Sequence, residues 1–218
     1  YRWITCFIAV SETMRVRMIG MNPSVGSHVI TVPNGIDINH LLSSKSGVDN
    51  IFQPGKKQCT YKVGVVGRLT GIKGLDLFLL TAAEINRRLK DVSFFVVGDG
   101  ELREELEVLA AKLGIAEYVH FLGYRDDVMM LMKEFDLYLM TSHFESFGLT
   151  LIEAMGSGVP VVAARAEGPF EEIIEHGVDG ILADNRNPRL IADAIIQLLQ
   201  DEKLRTKLGS AAQKKVTL

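Results

Sequence analysis

Two glutamates with seven residues between them are the first candidates for chemistry in this chain. Glu145 follows the apolar run 136–140, and Glu153 lies in the helix-like stretch that comes next, which Gly148 opens. Both carboxylates are expected at the carboxyl edge of a parallel sheet, where open α/β folds bind ligands. Carboxylates only accept hydrogen bonds, which suits a hydroxyl-rich ligand such as a sugar or a ribose. A solvated Glu145 and a Glu153 that merely interacts with the helix dipole are the alternative.

A second candidate group combines three glycines with two cations. Gly67, Gly71 and Gly74 allow tight turns and close approach of the backbone to a ligand. A helix that begins near Gly74 would offer free N–H groups, and Arg68 and Lys73 would add positive charge, so the group could neutralise a diphosphate. The glycine spacing matches neither a Walker A loop nor GxGxxG. A glycine-rich turn with two solvated cations is therefore equally compatible with the spacing.

Weaker candidates stand at the other expected strand exits. Asp99 is predicted to cap the helix after it rather than to contact a ligand, and Asp126 is a second predicted N-cap. Tyr124 or Arg125 could instead stack on a nucleotide base. His143 is interpreted as a packed or solvated loop residue rather than a catalytic one. No order of Ser, His and Asp, or of Cys and His, indicates a nucleophile.

The elements that must position these residues alternate regularly from Tyr61 onward. Strands are predicted over 62–67, 93–97, 118–122, 136–140, 160–164 and 180–183. Helices are predicted over 74–90, 101–113, 126–134, 148–157, 169–176, 188–199 and 201–215. Strands without polar alternation, separated by helices, predict an α/β fold with a doubly wound, parallel, six-stranded Rossmann-like sheet. Upstream lie a predicted strand 3–10, a helix 12–19 capped by Ser11, a strand 28–32 and a polar connection.

The composition is that of a globular protein and narrows the choice of partners. The chain has 218 residues, is 47% hydrophobic and carries a formal net charge of −3, which disfavours nucleic acid as a partner. No apolar run reaches the ~18–20 residues of a membrane-spanning helix. Cys6 and Cys59 are interpreted as buried, reduced thiols of a cytoplasmic protein rather than as a disulfide. Because there is no CxxC and no HExxH, neither a protein-bound metal nor a cofactor is predicted.

Several motifs follow one another in a fixed order: Gly67-Arg68, Lys73-Gly74, Gly98-Asp99-Gly100, Phe121-Leu122-Gly123, Glu145 through Met155, and Gly158-Val159-Pro160-Val161-Val162. In this order they resemble the carboxyl-terminal half of a retaining, nucleotide-sugar-dependent glycosyltransferase of the "group 1" type, glycosyltransferase family four. The resemblance covers about residues 28–200. Val10-Ser11-Glu12 and residues 32–37 resemble the end of the amino-terminal domain of that family and the crossing into its second domain.

The resemblance implies a role for each candidate residue. Arg68 and Lys73 would hold the donor diphosphate and stabilise the leaving group in place of a metal. Glu153 would bind the ribose hydroxyls and Glu145 the donor sugar. The remaining contacts would come from Gly67, from the backbone of Phe147, Gly148 and Leu149, and from Tyr124 and Arg125 beside the base. Glu172 is similar to a common family glutamate, but Glu167-Gly168 precedes it where the family has two glycines.

The same resemblance divides the chain and predicts its activity. Residues 1–36 would be the tail of an amino-terminal domain, 37–60 a crossing segment and 61–218 the nucleotide-sugar-binding domain. Because the chain starts with Tyr1 in an apolar strand, we expect it to begin inside a larger protein. It should bind a nucleotide diphosphate sugar but transfer little, since the amino-terminal domain would bind most of the acceptor. The alternatives are a nucleotide-sugar epimerase-like enzyme and a non-catalytic nucleotide-binding module, and peripheral membrane attachment of the full-length protein is left open.

Overall fold

The structure is a computed structural model that describes residues 6–37, 51–184 and 186–217. Its first part contains β1 (Phe7–Ala9), α1 (Glu12–Met21), a 3₁₀ turn and β2 (Val29–Thr31). β1 and β2 pair in parallel as a separate two-stranded sheet with a small core of its own. Ser11 caps α1 as predicted, because its Oγ accepts a bond from the Met14 N–H at 3.2 Å. Residues 3–5 of the predicted strand 3–10 lie outside the described residues, and Cys6, which was predicted to be buried, is exposed.

Six strands form the larger sheet, and all of them are parallel. They are β3 (Tyr61–Val66), β4 (Val92–Val97), β5 (Val119–Gly123), β6 (Leu137–Met140), β7 (Val161–Ala164) and β8 (Ile181–Ala183). Each begins and ends within one residue of its predicted bounds. The order in space is β5-β4-β3-β6-β7-β8. The predicted fold class is therefore confirmed.

Seven helices of the described chain cover this sheet: α2 (Leu75–Arg88), α3 (Arg103–Lys112), α4 (Val128–Lys133), α5 (Leu149–Gly156), α6 (Phe170–Ile173), α7 (Pro188–Gln200) and α8 (Glu202–Thr217). Apolar residues of α2, α3 and α7 pack on one face of the sheet. Those of α4, α5 and α8 pack on the other face. Strands enclosed on both faces are mostly apolar, and all six residues of β4 are buried. Its one polar side chain, Ser93, donates to the Lys57 carbonyl at 3.1 Å.

Three local predictions are wrong. The helix predicted over 169–176 ends at Ile173, because Ile174 is extended and the Glu175 N–H bonds to the Asp179 carboxylate at 2.8 Å. Asp99 does not cap α3, because that helix begins only at Arg103 and the Asp99 carboxylate accepts from the Gly100 N–H at 2.8 Å.

Asp126 is the third of these errors. The residue at the N-cap position of α4 is Asp127, and its side chain makes no capping bond. The Asp127 carboxylate instead accepts a hydrogen bond from the Arg125 Nε at 2.7 Å. A neighbouring guanidinium therefore outcompetes the helix end for the carboxylate.

Of the connection predicted over 37–60, residues 37 and 51–60 are described, and residues 38–50 lie outside the described chain. Ile51 is buried against the face of the sheet that α4 covers. The Gln53 N–H donates to Nδ1 of the buried His120 at 3.3 Å, and burial lowers the pKa of His120 to about 4. The described part of this connection is therefore docked on the sheet.

Candidate functional site

The strand order changes direction between β3 and β6, and several of the candidate residues lie in the loops that follow these two strands. From β3 the chain winds outward through β4 to β5, and then returns to place β6 on the other side of β3. Loops that leave two such strands in opposite directions open a crevice at their carboxyl ends, the usual ligand site of open α/β sheets. The loop after β3 carries Arg68 and Lys73, and the loop after β6 carries Glu145.

Two glycines shape the loops that follow β3 and β4. Gly74 stands at the start of α2 with φ of 58°, a conformation that glycine adopts without strain. A side chain at Gly98 would place its Cβ 2.0 Å from the Gly67 carbonyl oxygen, so the strand exits of β3 and β4 approach each other closely. Glycine at these two positions therefore allows backbone paths that a side chain would strain or block.

Lys73 and Glu145 meet directly across the crevice. The Lys73 Nζ lies 2.6 Å from Glu145 Oε1, and the side chains are only 23% and 11% exposed. The Ser142 hydroxyl donates to the same carboxylate oxygen at 2.7 Å. Lys73, which was predicted to bind phosphate, and Glu145, which was predicted to bind the sugar, therefore belong to one hydrogen-bonded network.

The helix after Glu145 opens with a second left-handed glycine. Gly148 has φ of 83° and offers no side chain to cap α5, so the first N–H groups of that helix have no side-chain acceptor there. Phe147 is half-buried and Leu149 is exposed. These three residues thus lie at the start of α5, and the predicted contact of their backbone with an anion or a sugar oxygen stays a prediction.

Glu153 is a half-buried carboxylate in the second turn of α5. The carboxylate of Glu153 makes no hydrogen bond and no ion pair with any other described residue. Burial accordingly raises its pKa. An unpaired carboxylate in such a position is costly unless a ligand supplies donors.

Sequence reasoning missed Tyr138, which lies beneath these glutamates. It is fully buried in β6, and its hydroxyl donates to the Thr150 Oγ at 2.9 Å. Burial raises the pKa of Tyr138, and the nearby charges of Glu145 and Glu153 raise it further. A polar hydroxyl inside an apolar strand was the available signal, since a buried Tyr O–H needs a partner. Ser142 was missed as well, because a hydroxyl in a loop carries no such signal.

Arg68 lies apart from the Lys73 network, in a cavity of about 310 Å³. Its side chain is exposed and makes no ion pair with any residue that the structure describes. Tyr124, which is 82% exposed, and Arg125 line the same cavity together with Asp99. The apolar floor consists of Val66, Val97 and Val128. An apolar floor beneath a free cation and an aromatic ring suits a planar base attached to a phosphate.

Glu172 faces the amino-terminal part rather than the crevice. Its carboxylate accepts from the backbone N–H groups of Glu12 at 3.1 Å and Thr13 at 2.6 Å, and also from the Thr13 hydroxyl. These are free donors of the first turn of α1, so the carboxylate is favoured there by the helix dipole. The Ser11 hydroxyl adds a bond to the Ser146 carbonyl at 2.8 Å. The loop that carries Glu145 is thereby joined to α1.

Two further observations concern other kinds of site. Within the described ranges, no three His, Cys, Asp or Glu side chains are grouped so that they could hold a metal ion. His143 is exposed, and its backbone N–H donates to the Ile72 carbonyl at 2.8 Å. No helix in the described part of the chain has the length and apolarity needed to cross a membrane.

A protein-family model described as "Glycosyl transferases group 1" matches residues 48–215. N-acetyl-alpha-D-glucosaminyl L-malate synthase of Bacillus anthracis is 40% identical over 126 residues, which are 58% of this chain and 33% of that protein. An uncharacterized glycosyltransferase of Methanocaldococcus jannaschii is 31% identical over 216 residues, which are 96% of this chain and 54% of that protein. The chain thus spans about half, or less, of the length of the curated relatives it matches.

A solved structure extends the similarity to the fold. Anabaena Alr3699/HepE, in complex with UDP and glucose, matches with a TM-score of 0.86 and 29% sequence identity. The match covers 99% of this chain and 59% of the Anabaena chain. The two-stranded and six-stranded sheets of this chain are therefore both included in the compared region.

Proposed function

The chain belongs to the group 1 glycosyl transferases, and from that premise we propose that it is the donor-binding half of a retaining enzyme. The full-length protein would transfer a sugar from a nucleotide diphosphate sugar to an acceptor hydroxyl. The observation that carries this proposal is the Lys73–Glu145 pair between the exits of β3 and β6, with Arg68 in the cavity at the neighbouring exits of β3 and β4 and Glu153 in the helix that follows Glu145. Cations for a diphosphate and carboxylates for hydroxyls are thereby combined at one sheet edge.

Arg68 and Lys73 would supply the positive charge. When the bond between the sugar C1 and the phosphate oxygen breaks, negative charge accumulates on the departing nucleoside diphosphate, and preorganised cations stabilise it. An ammonium has three N–H donors, so Lys73 can keep its bond to Glu145 and still donate to a phosphate oxygen. This arrangement requires no metal, and we propose that the enzyme is metal-independent.

The two glutamates would position the donor rather than exchange protons with it. Glu145 is oriented by its bonds to Lys73 and Ser142, and it would accept bonds from the sugar hydroxyls. Glu153 lacks a partner among the described residues and would accept from the ribose hydroxyls. Retention requires the acceptor oxygen to bond to C1 on the face that the phosphate leaves, with its proton passing to a phosphate oxygen.

The remaining contacts would complete the donor site. The backbone at Gly67 and at Phe147, Gly148 and Leu149 would approach the phosphates and the sugar. Tyr124 and Arg125 would lie against the base, in the cavity that they share with Arg68.

We propose that parts of the full-length protein outside these 218 residues bind most of the acceptor. The chain alone would then bind the nucleotide and transfer little. The relatives' greater length supports this division. Two free cysteines, one of them exposed, suit a reducing compartment and support a cytoplasmic location.

Calorimetric titration of the chain with UDP, GDP and ADP tests the proposal. At least one should bind, with the same affinity in EDTA as in Mg²⁺, and Arg68→Ala should weaken that binding. Arg88→Ala is the matched control, because Arg88 lies at the far end of α2, where it donates to the Glu84 carbonyl and pairs with exposed Asp193. Failure of all three nucleotides to bind to both the chain and the full-length protein would refute the proposal.

The two alternatives are separated by products and by activity. An epimerase would convert a nucleotide sugar to its epimer without any acceptor, whereas a transferase would not. A non-catalytic nucleotide-binding module would keep its cellular activity after Arg68→Ala and Glu153→Ala.

A further inference from the structure

Arg186 is a half-buried cation close to the crevice that no role in the proposed reaction has yet used. Its guanidinium donates from Nη1 to the Ser142 carbonyl at 2.8 Å and from Nη2 to the Thr141 carbonyl at 2.6 Å. No carboxylate forms an ion pair with it in the described part of the chain. Burial lowers the pKa of Arg186, and the charge of Asp76 offsets this only in part. A guanidinium kept there without a counterion must be held by its bonds to the backbone.

The two carbonyls belong to the exit of β6, immediately before Glu145. Thr141 and Ser142 are both buried. The Thr141 hydroxyl donates to the Lys73 carbonyl at 3.2 Å, and the Ser142 hydroxyl donates to the Glu145 carboxylate. The residues that Arg186 holds therefore contact both members of the Lys73–Glu145 pair.

The guanidinium also fills the corner between this exit and the start of α2. A Cβ added at Gly74 would lie 2.3 Å from the Thr141 carbonyl oxygen and 2.8 Å from Arg186 Nη2. Only a residue without a side chain at position 74 leaves room for the planar fork. Arg186 thus lies against both loops that flank the crevice.

We propose that Arg186 is a positioning residue of the donor site: it fixes the β6 exit against the start of α2, and so sets the geometry of the Lys73–Glu145 pair. This rests on the proposed function of that pair. Arg186 does not itself touch the donor. Its planar fork serves two carbonyls at once, which a lysine ammonium at the same place would not reproduce.

Amide hydrogen exchange in the 218-residue chain tests the hold of Arg186 without any ligand. In Arg186→Met, the His143 amide (bonded to the Ile72 carbonyl) and the Glu145 amide (bonded to the Glu167 carbonyl) should exchange at least about tenfold faster. In Arg186→Lys both amides should exchange nearly as fast as in Arg186→Met. In Arg88→Met they should exchange at the wild-type rate. Unchanged exchange in Arg186→Met, or wild-type rates in Arg186→Lys, would overturn the proposal.

Calorimetry with UDP-glucose then tests whether the contacts of Arg186 contribute to donor binding. Arg186→Met and Glu145→Gln should each weaken UDP-glucose binding roughly tenfold. The loss of affinity in the double variant should be clearly smaller than the product of the two single losses, because both residues act through one network. A loss of affinity in the double variant equal to the product of the two single losses would contradict the assignment of Arg186 as a positioning residue. If the wild-type chain binds no UDP-glucose, the proposed function fails, whereas the exchange result still decides whether Arg186 holds the loop.

Discussion

The crevice has two groups of charged residues that differ in how they are satisfied. The sugar-side group, Lys73, Ser142 and Glu145, is already a hydrogen-bonded network. The nucleotide-side group, Arg68, Tyr124 and Glu153, is not: among the described residues Arg68 and Glu153 have no ionic partner, and Tyr124 is 82% exposed. One group is preorganised by the protein, and the other depends on a ligand. Changes to the first should therefore lower both stability and catalysis, whereas changes to the second should weaken binding without lowering stability.

The largest effect is expected in the sugar-side group. Glu145→Gln should lower the transfer rate of the full-length protein about 100-fold, equivalent to about 3 kcal/mol, because it leaves the Lys73 ammonium without its counterion. The melting temperature of the chain should also fall by several degrees. Transfer rates and thermal melts measure the two effects. Glu107→Gln, on the exposed face of α3, is the matched control, and an unchanged melting temperature would remove the distinction between the two groups.

A smaller effect, confined to binding, is expected at Arg68. Arg68→Ala should weaken nucleotide binding about tenfold, because a charge-assisted bond contributes ~1.5–3 kcal/mol. The melting temperature should not change, since the side chain is exposed and has no ion pair to lose within the described structure. Calorimetry measures the change in nucleotide affinity, and a thermal melt measures the change in melting temperature. A loss of stability equal to that of Glu145→Gln would show that Arg68 is also part of an internal network.

The smallest change in affinity, with an opposite change in stability, is expected at Glu153. Its folded-state pKa is raised, so stability falls as the pH rises from the ordinary carboxyl pKa through the raised one. Glu153→Gln should remove this dependence and stabilise the chain at pH 7, while nucleotide affinity falls a few-fold. Melts from pH 4 to 8 and a calorimetric titration measure both. Destabilisation at pH 7 would contradict the unpaired state of this carboxylate.

The sequence was sufficient for the architecture and for the positions of the candidate residues in loops at the strand exits. Continuous apolar strands alternating with helices predicted the six-stranded sheet, and the family expected from the ordered motifs was confirmed. The glycines at 67, 74 and 148 were also expected at strand exits and helix starts. These features depend on local patterns, which is why a single sequence reveals them.

The connections between loops could not be predicted in the same way. Lys73 and Glu145 are 72 residues apart, and their pairing depends on the return of β6 to the side of β3. Arg186 reaches the β6 exit from a loop after β8, 44 residues beyond Ser142. The wrong caps at Asp99 and Asp126 have a related cause, since propensity at one position does not reveal which partner a carboxylate finds in space. The roles assigned to the site residues remain predictions.

The central claim is that the crevice between the β3 and β6 exits binds a nucleotide sugar, and backbone amide NMR of the chain titrated with UDP-glucose tests it most directly. We predict saturable shifts in residues 67–74, 123–125 and 145–153, with residues 188–200 on the face of the sheet unchanged. Saturable shifts confined to other parts of the chain, or no shifts with UDP-, GDP- or ADP-glucose, would contradict the claim.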